Sequence, residues 1–271
     1  MDECSARALN ELNKRFYERQ AGAFSATRNN SWRGWQLALE AAGVASGGAA
    51  GSRDGASEGP SDRRLDVLDV ACGNLRFEAW AREAVAGCEL RFTALDACRG
   101  LLPESLPDNV RFEERDVVGL LLDGGALRIV PEGACFDLAV SFGFMHHIPG
   151  CAARAAFLDV LLGATRPGGH VVVSFWRFSD DAGLRERAEA STAGALAGGG
   201  IGPVALDEGD YLLGFGEEST DLRYCHSFSD EDVDAILDAV ETPCELVSRF
   251  RADGRTNALN EYLVLRRRCD A

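Results

Sequence analysis

Between residues 64 and 176, short and almost unbroken runs of Val, Leu and Phe alternate with segments long enough for a helix. No other feature of the chain narrows its fold as much. The runs fall at 65–71 (LDVLDVA), 90–96, 110–114 (VRFEE), 136–142 (FDLAVSF) and 170–176 (HVVVSFW), with helical stretches near 76–86, 99–102 and 151–164. A strand that is apolar on both faces must be covered on both, and parallel neighbours need a crossover long enough to hold a helix. The pattern therefore predicts an α/β fold of βαβ units, with a parallel sheet between two helical layers.

The flanks read differently. Leu9, Leu12 and Phe16 at helical spacing predict a helix over 3–20, and a second is expected at 36–42, so residues 1–45 form a helical cap. Residues 46–63, rich in Gly, Ala and Ser, are expected as a flexible loop before the main domain at 64–271. After residue 176 the rhythm breaks, and 179–222 reads as an insertion or lid. Ser229 followed by acidic residues marks a helix start. Two strands at 245–251 and 260–266, expected as an antiparallel edge pair, finish the sheet.

Composition excludes several classes. Hydrophobic residues make up 46% and charged residues 26%, as in ordinary globular chains. No run approaches the ~18–20 apolar residues of a membrane span, and MDECSARALNELNKRF is not a secretory signal. A soluble, cytoplasmic protein is expected, with no membrane association. Nine cysteines, an odd count without a CxxC pair, read as reduced thiols rather than disulfides or a metal centre, so no metal is expected. The net charge of −15 argues against extended nucleic-acid contact, which draws its affinity from phosphate neutralisation.

In an open α/β sheet, ligands bind beyond the carboxyl ends of the strands. The first strand ends in Asp69-Val-Ala71-Cys-Gly73-Asn74, whose small residues let backbone approach a ligand. The second ends at Asp96-Ala97, a carboxylate suited to a ribose diol. Asp116-Val117 follows the third, where a carboxylate could accept from an adenine amino group. The fourth ends in Ser141-Phe142, with His146-His147 close behind. Two cofactor classes suit such an order. A nicotinamide dinucleotide wants G-x-G-x-x-G, and here Leu75 and Arg76 interrupt that pattern. S-adenosyl-L-methionine carries no phosphate and needs only a close loop and a carboxylate.

Together VLDVACGN, FTALD, ERDVV, FDLAVSFGFMHHIP and RPGGHVVVSFW resemble the motifs of class I S-adenosylmethionine-dependent methyltransferases. The resemblance covers about residues 64–176. It implies a Rossmann-like fold with a seven-stranded, mostly parallel sheet, and S-adenosyl-L-methionine as cofactor, released as S-adenosyl-L-homocysteine. Asp69, Ala71, Gly73, Asp96, Ala97, Asp116, Val117, Ser141 and Phe142 would hold it, with Asp69 on its amino group. The family's usual further Gly is Leu75 here.

The flanks FYERQAGAFSATRNNSWRGW and LRYCHSFSDEDV are similar to segments of the tRNA wobble-uridine carboxymethyl methyltransferases. This second resemblance implies a carboxylate acceptor. Arg28 and Arg223 would clamp it, His146 and His226 would position it, and Trp32 or Tyr224 would stack on a base. Eukaryotic members of that family act with a small zinc-binding partner, so an activator protein is implied beside the methyl acceptor. Two alternatives stand: a small-molecule O- or N-methyltransferase, and a non-catalytic cofactor-binding module in which Leu75 marks decay.

Overall fold

The computed structural model describes residues 1–44, 63–199, 201–215 and 221–269. The loop expected at 46–63 lies outside them, apart from residue 63.

A long helix, α1 (Glu3–Ala26), opens the chain, its first turn held by the Asp2 carboxylate, which accepts from the Ser5 amide at 2.9 Å. The short α2 (Arg33–Ala41) follows. Then come β1 (Arg64–Val70), α3 (Arg76–Ala84), β2 (Glu89–Asp96), β3 (Val110–Glu114), α4 (Val117–Leu122), β4 (Phe136–Ser141), α5 (Cys151–Ala164) and β5 (Thr165–Trp176). The remainder is α6 (Ala182–Ala197), β6 (Asp210–Gly214), β7 (Leu222–His226), α7 (Asp230–Asp238), β8 (Cys244–Ala252) and β9 (Asn260–Arg267).

Seven strands form one sheet in the order β3-β2-β1-β4-β5-β9-β8. Strands β1 to β5 pair in parallel, and β9 runs against both of its neighbours. The last pair is thus antiparallel as expected, but β9 sits inside the sheet and β8 takes the edge. Strand order reverses between β1 and β4, which is where a ligand crevice forms in such sheets.

Side-chain alternation explains the two layers. Leu65 and Val67 of β1 pack with Trp35, Leu39 and Phe77 on one face, while Leu68 and Val70 pack with Phe157, Leu158 and Leu161 of α5 on the other. In β9, Tyr262 and Val264 join the first layer and Leu263 and Leu265 the second. Each fully buried Leu or Phe contributes roughly 1.5–3 kcal/mol to this arrangement.

The region at 179–222 carries more structure than its composition suggests. Helix α6 is capped by Asp181, which accepts from the Gly183 and Leu184 amides, and β6 pairs antiparallel with β7 in a separate two-stranded sheet. Neither α6 nor this hairpin was expected: α6 is nearly all small or polar, and β6 and β7 are five residues each. Among the described residues, no helix is long and apolar enough to cross a membrane.

Candidate active site

The carboxyl ends of β1, β2, β3 and β4 open into a cavity of about 450 Å³, closed on the opposite side by α1 and the segment leading into α2. Its lining falls into two halves of unlike chemistry.

The first half follows the strand ends. Ala71, Cys72, Gly73 and Asn74 line it from the β1–α3 loop, Asp96, Ala97 and Cys98 from β2, Asp116 and Val117 from β3, and Phe142 and Gly143 from β4. The Ala71 and Cys72 amides donate to the Leu95 carbonyl at 2.7 and 3.1 Å, which ties the loop to β2. Ala71 and Gly73 both have positive φ, and a Cβ on Gly73 would meet open space. The Asp96 carboxylate accepts from the Gly73 amide at 2.9 Å and the Cys98 amide at 2.8 Å, one on each oxygen. Each oxygen keeps capacity for a further donor. Burial pushes the Asp96 pKa up while these amides pull it down. Asp116 caps α4 through the Gly119 amide at 2.8 Å and also faces Asn10 and Lys14 of α1.

Two residues expected on the cofactor lie elsewhere. Asp69 is 2% exposed and does not line the cavity. It shares the parity of Leu65 and Val67, so its carboxyl faces α3, where it meets the fully buried Glu78. Burial first, and Glu78 second, push Asp69 well above the usual carboxylate range, and burial pushes Glu78 up to about 7. Among the described residues no other donor reaches the Glu78 oxygens, which leaves a proton shared with Asp69 as their hydrogen bond. Ser141 is also buried, and its hydroxyl donates to the Val70 carbonyl at 2.8 Å, tying β4 to β1. Leu75 takes a left-handed backbone, φ 61°, but its side chain is 3% exposed and joins the layer around Phe77. The position that favours Gly carries a Leu turned away from the cavity, which stays open.

The second half is aromatic and cationic. Tyr17 and Phe24 of α1, Arg28, Trp32, Arg76, His146, His147, Trp176 and Arg223 line it. The Arg28 guanidinium lies 4.4 Å from the Phe24 ring, Arg76 4.5 Å from Trp32, and Arg223 5.2 Å from Phe16. Among the described residues, none of the three forms an ion pair with a carboxylate, and the buried Nε of Arg223 has no partner. They bear on one another: burial and then Arg223 lower the pKa of Arg28, and burial and then Arg28 lower Arg76 to about 10.

Strand β7 sorts its residues by parity. Arg223 faces the cavity, whereas Tyr224 and His226, expected on the substrate, face away from it. The Tyr224 hydroxyl donates to Asp210 at 2.7 Å and accepts from Arg154 at 3.0 Å, and His226 Nδ1 meets the same Asp210 oxygen at 2.7 Å. All four residues are buried, in a network that fastens β7 to β6 and α5.

His146 stays in the cavity, with Nδ1 lacking a partner and its ring centroid 5.0 Å from that of Trp176. Burial, then His147 and Arg223, hold it well below the usual histidine range, so it is neutral at physiological pH. His147 is pushed down to about 3 by burial and Arg223; its Nδ1 meets the Tyr224 carbonyl at 2.9 Å and its Nε2 the Tyr17 hydroxyl at 2.8 Å. The donor atoms of His146, His147 and Cys225 lie within 4.8 Å of one another, a spacing a metal ion could use. Both His147 nitrogens are engaged in hydrogen bonds, however, and guanidinium charge bears on both rings, which disfavours a cation there. Tyr17, Phe24, Arg76 and Trp176 are among the lining residues that the sequence reading did not place at the site. The cation directly after Leu75 was a visible signal for Arg76.

The fold is that of the class I S-adenosylmethionine-dependent methyltransferases. The chain superposes on a SAM-dependent methyltransferase of Methanosarcina mazei with a TM-score of 0.53 and 13% identity, over 77% of this chain and 95% of that one. An O-methyltransferase family protein of Burkholderia thailandensis matches with a TM-score of 0.50 and 14% identity, over 95% of this chain and 63% of that one. In sequence, the chain is 26% identical over 181 residues to tRNA (carboxymethyluridine(34)-5-O)-methyltransferase ALKBH8 of Macaca fascicularis; the match spans 66% of this chain and 22% of that relative. No protein-family model matches the chain.

Proposed function

We propose that the chain is an S-adenosylmethionine-dependent methyltransferase that esterifies a carboxylate, the acceptor being a carboxymethyl group on a tRNA wobble uridine. The observation that carries this reading is the set of guanidinium groups without carboxylate partners on the cavity wall, in a chain whose net charge is −15. Cations without carboxylate partners, Arg223 buried and Arg28 and Arg76 half-buried, are a site for an anion in an acidic protein.

The first half of the cavity fits the cofactor. The β1–α3 loop offers close backbone with open space at Gly73, and Asp96 has acceptor capacity for a ribose diol. Asp116, with Val117 below it, stands where an adenine amino group would find an acceptor. When bound, S-adenosylmethionine supplies an electrophilic methyl group on a sulfonium. A carboxylate acceptor is already ionised at neutral pH, so no general base is required. Arg28 and Arg223 orient its oxygens, and Tyr17, Phe24 and Trp176 exclude water around them. A neutral His146 adds no competing charge, and its free Nδ1 can bond the acceptor's polar edge. In this reading the N-terminal cap closes a single catalytic domain through α1 and the residues leading into α2, and the insertion expected at 179–222 contributes β6, which pairs with the β7 strand that carries Arg223 to the cavity wall.

The sequence relation to the tRNA enzyme supports the finer acceptor assignment. A tRNA acceptor further implies a small activator protein to supply basic surface, and action in the cytoplasm. A free small-molecule carboxylate is the second reading, favoured by the acidic net charge. Transfer of labelled methyl to tRNA bearing carboxymethyluridine, followed by mild alkali, separates them. Alkali-labile label on tRNA supports the proposal, alkali-labile label only on small carboxylates moves it to the second reading, and alkali-stable label rejects ester formation.

A further inference from the structure

The geometry points to a seat for a phosphate ester beside the methylation site, formed by Arg76 on its two indole rings. The inference rests on the carboxylate reading above, in which Arg28 and Arg223 share the acceptor carboxylate. That assignment leaves Arg76, the third guanidinium without a carboxylate partner on the cavity wall, with no anion of its own.

Arg76 is the cation left over, and its surroundings are built to hold it in place. Its guanidinium lies 4.5 Å from the Trp32 ring and 5.2 Å from the Trp35 ring, so the indole faces hold it by cation–π attraction. Gly143, at φ +70°, leaves room for the first indole: a Cβ there would come within 3.1 Å of Trp32. One donor of Arg76 is used, by the Asn30 carbonyl at 3.0 Å, and its other N–H groups have no partner among the described residues. A guanidinium with N–H groups to spare can offer two of them in parallel, which matches two oxygens of a phosphate. The carboxylate on that side, Asp253, is already committed to the Gly34 amide at 3.0 Å, the Asn260 amide at 2.9 Å and the Tyr262 hydroxyl. Burial and the neighbouring Arg28 depress Arg76, and the opposite charge of a bound phosphate would offset both effects.

The test is calorimetric and needs no turnover. Uridine, uridine 5′-monophosphate, 5-carboxymethyluridine and an anticodon stem-loop are titrated into protein saturated with S-adenosylhomocysteine. The expected result is a gain of about tenfold or more from the phosphate, as monophosphate or as stem-loop backbone, that disappears in Arg76→Met and returns in part in Arg76→Lys. Retained S-adenosylhomocysteine binding by each variant reports an intact fold. Gain with the monophosphate assigns the seat to a small nucleotide, and gain with the stem-loop alone assigns it to a phosphodiester. Equal affinities for all phosphate-bearing and phosphate-free ligands, or a gain that survives in Arg76→Met, overturns the seat. The carboxylate reading fails separately, if 5-carboxymethyluridine binds no better than uridine.

Discussion

The two halves of the cavity are built on opposite plans. In the cofactor half, carboxylates are satisfied: Asp96 by two loop amides, and Asp116 by the helix it caps. In the acceptor half, Arg28, Arg76 and Arg223 are held by aromatic rings and left without counter-charges. A satisfied polar group shapes a site in advance, whereas an unsatisfied one awaits a ligand that completes it. On the proposed function, the first half governs affinity for the cofactor, and the second governs what is methylated.

The comparison breaks most visibly at Arg223. Arg223→Met, which keeps most of the volume, should lower methyl transfer by about 10²–10³-fold with cofactor affinity nearly unchanged. Arg28→Ala should behave in the same direction, and loss of cofactor binding there would assign Arg28 to the methionine carboxylate. Asp96→Ala should do the converse. It orphans the Gly73 and Cys98 amides and removes the ribose acceptor, so cofactor affinity should fall about 10- to 100-fold in titration calorimetry.

A smaller effect sharpens the floor of the cofactor half. Asp69 and Glu78 both have raised folded-state pKa values, Glu78 from an ordinary 4.5 to about 7. The native state then binds more protons than the unfolded chain once the pH passes the ordinary values of 3.8 for Asp69 and 4.5 for Glu78. The pair's contribution to stability is complete below those values and is lost as pH rises through the folded-state values. Urea titrations between pH 4.5 and 7 should show stability falling, with about 2 kcal/mol of the decline belonging to Glu78 and lost in Glu78→Gln while the part due to burial of Asp69 remains; an unchanged slope in Glu78→Gln would detach Glu78 from it. The smallest effect concerns backbone strain. At φ 64°, Ala71→Gly relieves a left-handed penalty of about 1–2 kcal/mol against an entropic cost of about 0.5–1, so stability should rise by about 0.5 kcal/mol in thermal melts.

The same contrast decides what could be read from sequence. Gly73, Asp96, Asp116 and Phe142 lie at or just beyond strand ends, and the fold converts chain position directly into place. Asp69 and Ser141 lie at strand ends too, but alternation turns the first toward α3 and the second toward the β1 backbone. Parity likewise separates Arg223 from Tyr224 and His226, a division contained in LRYCH once β7 is known to be a strand. Arg76 was harder to see, because its role depends on Trp32 and Trp35, some 40 residues earlier in the chain. Helix α6 and strand β6 escaped because neither carries a strong periodic apolar face.

The buried cluster of Arg154, Tyr224, Asp210 and His226 has a consequence for how such a protein can change. A slip of one residue along β7 would carry Tyr224 into the cavity and hide the guanidinium of Arg223. Because the cluster accepts only one registration of the hairpin, it works as a key that fixes which side chain the acceptor meets. Deleting a single residue between β6 and β7 should thus be more damaging than truncating any side chain within them, whereas exchange of the whole hairpin together with its cluster could redirect acceptor choice and leave the cofactor half untouched.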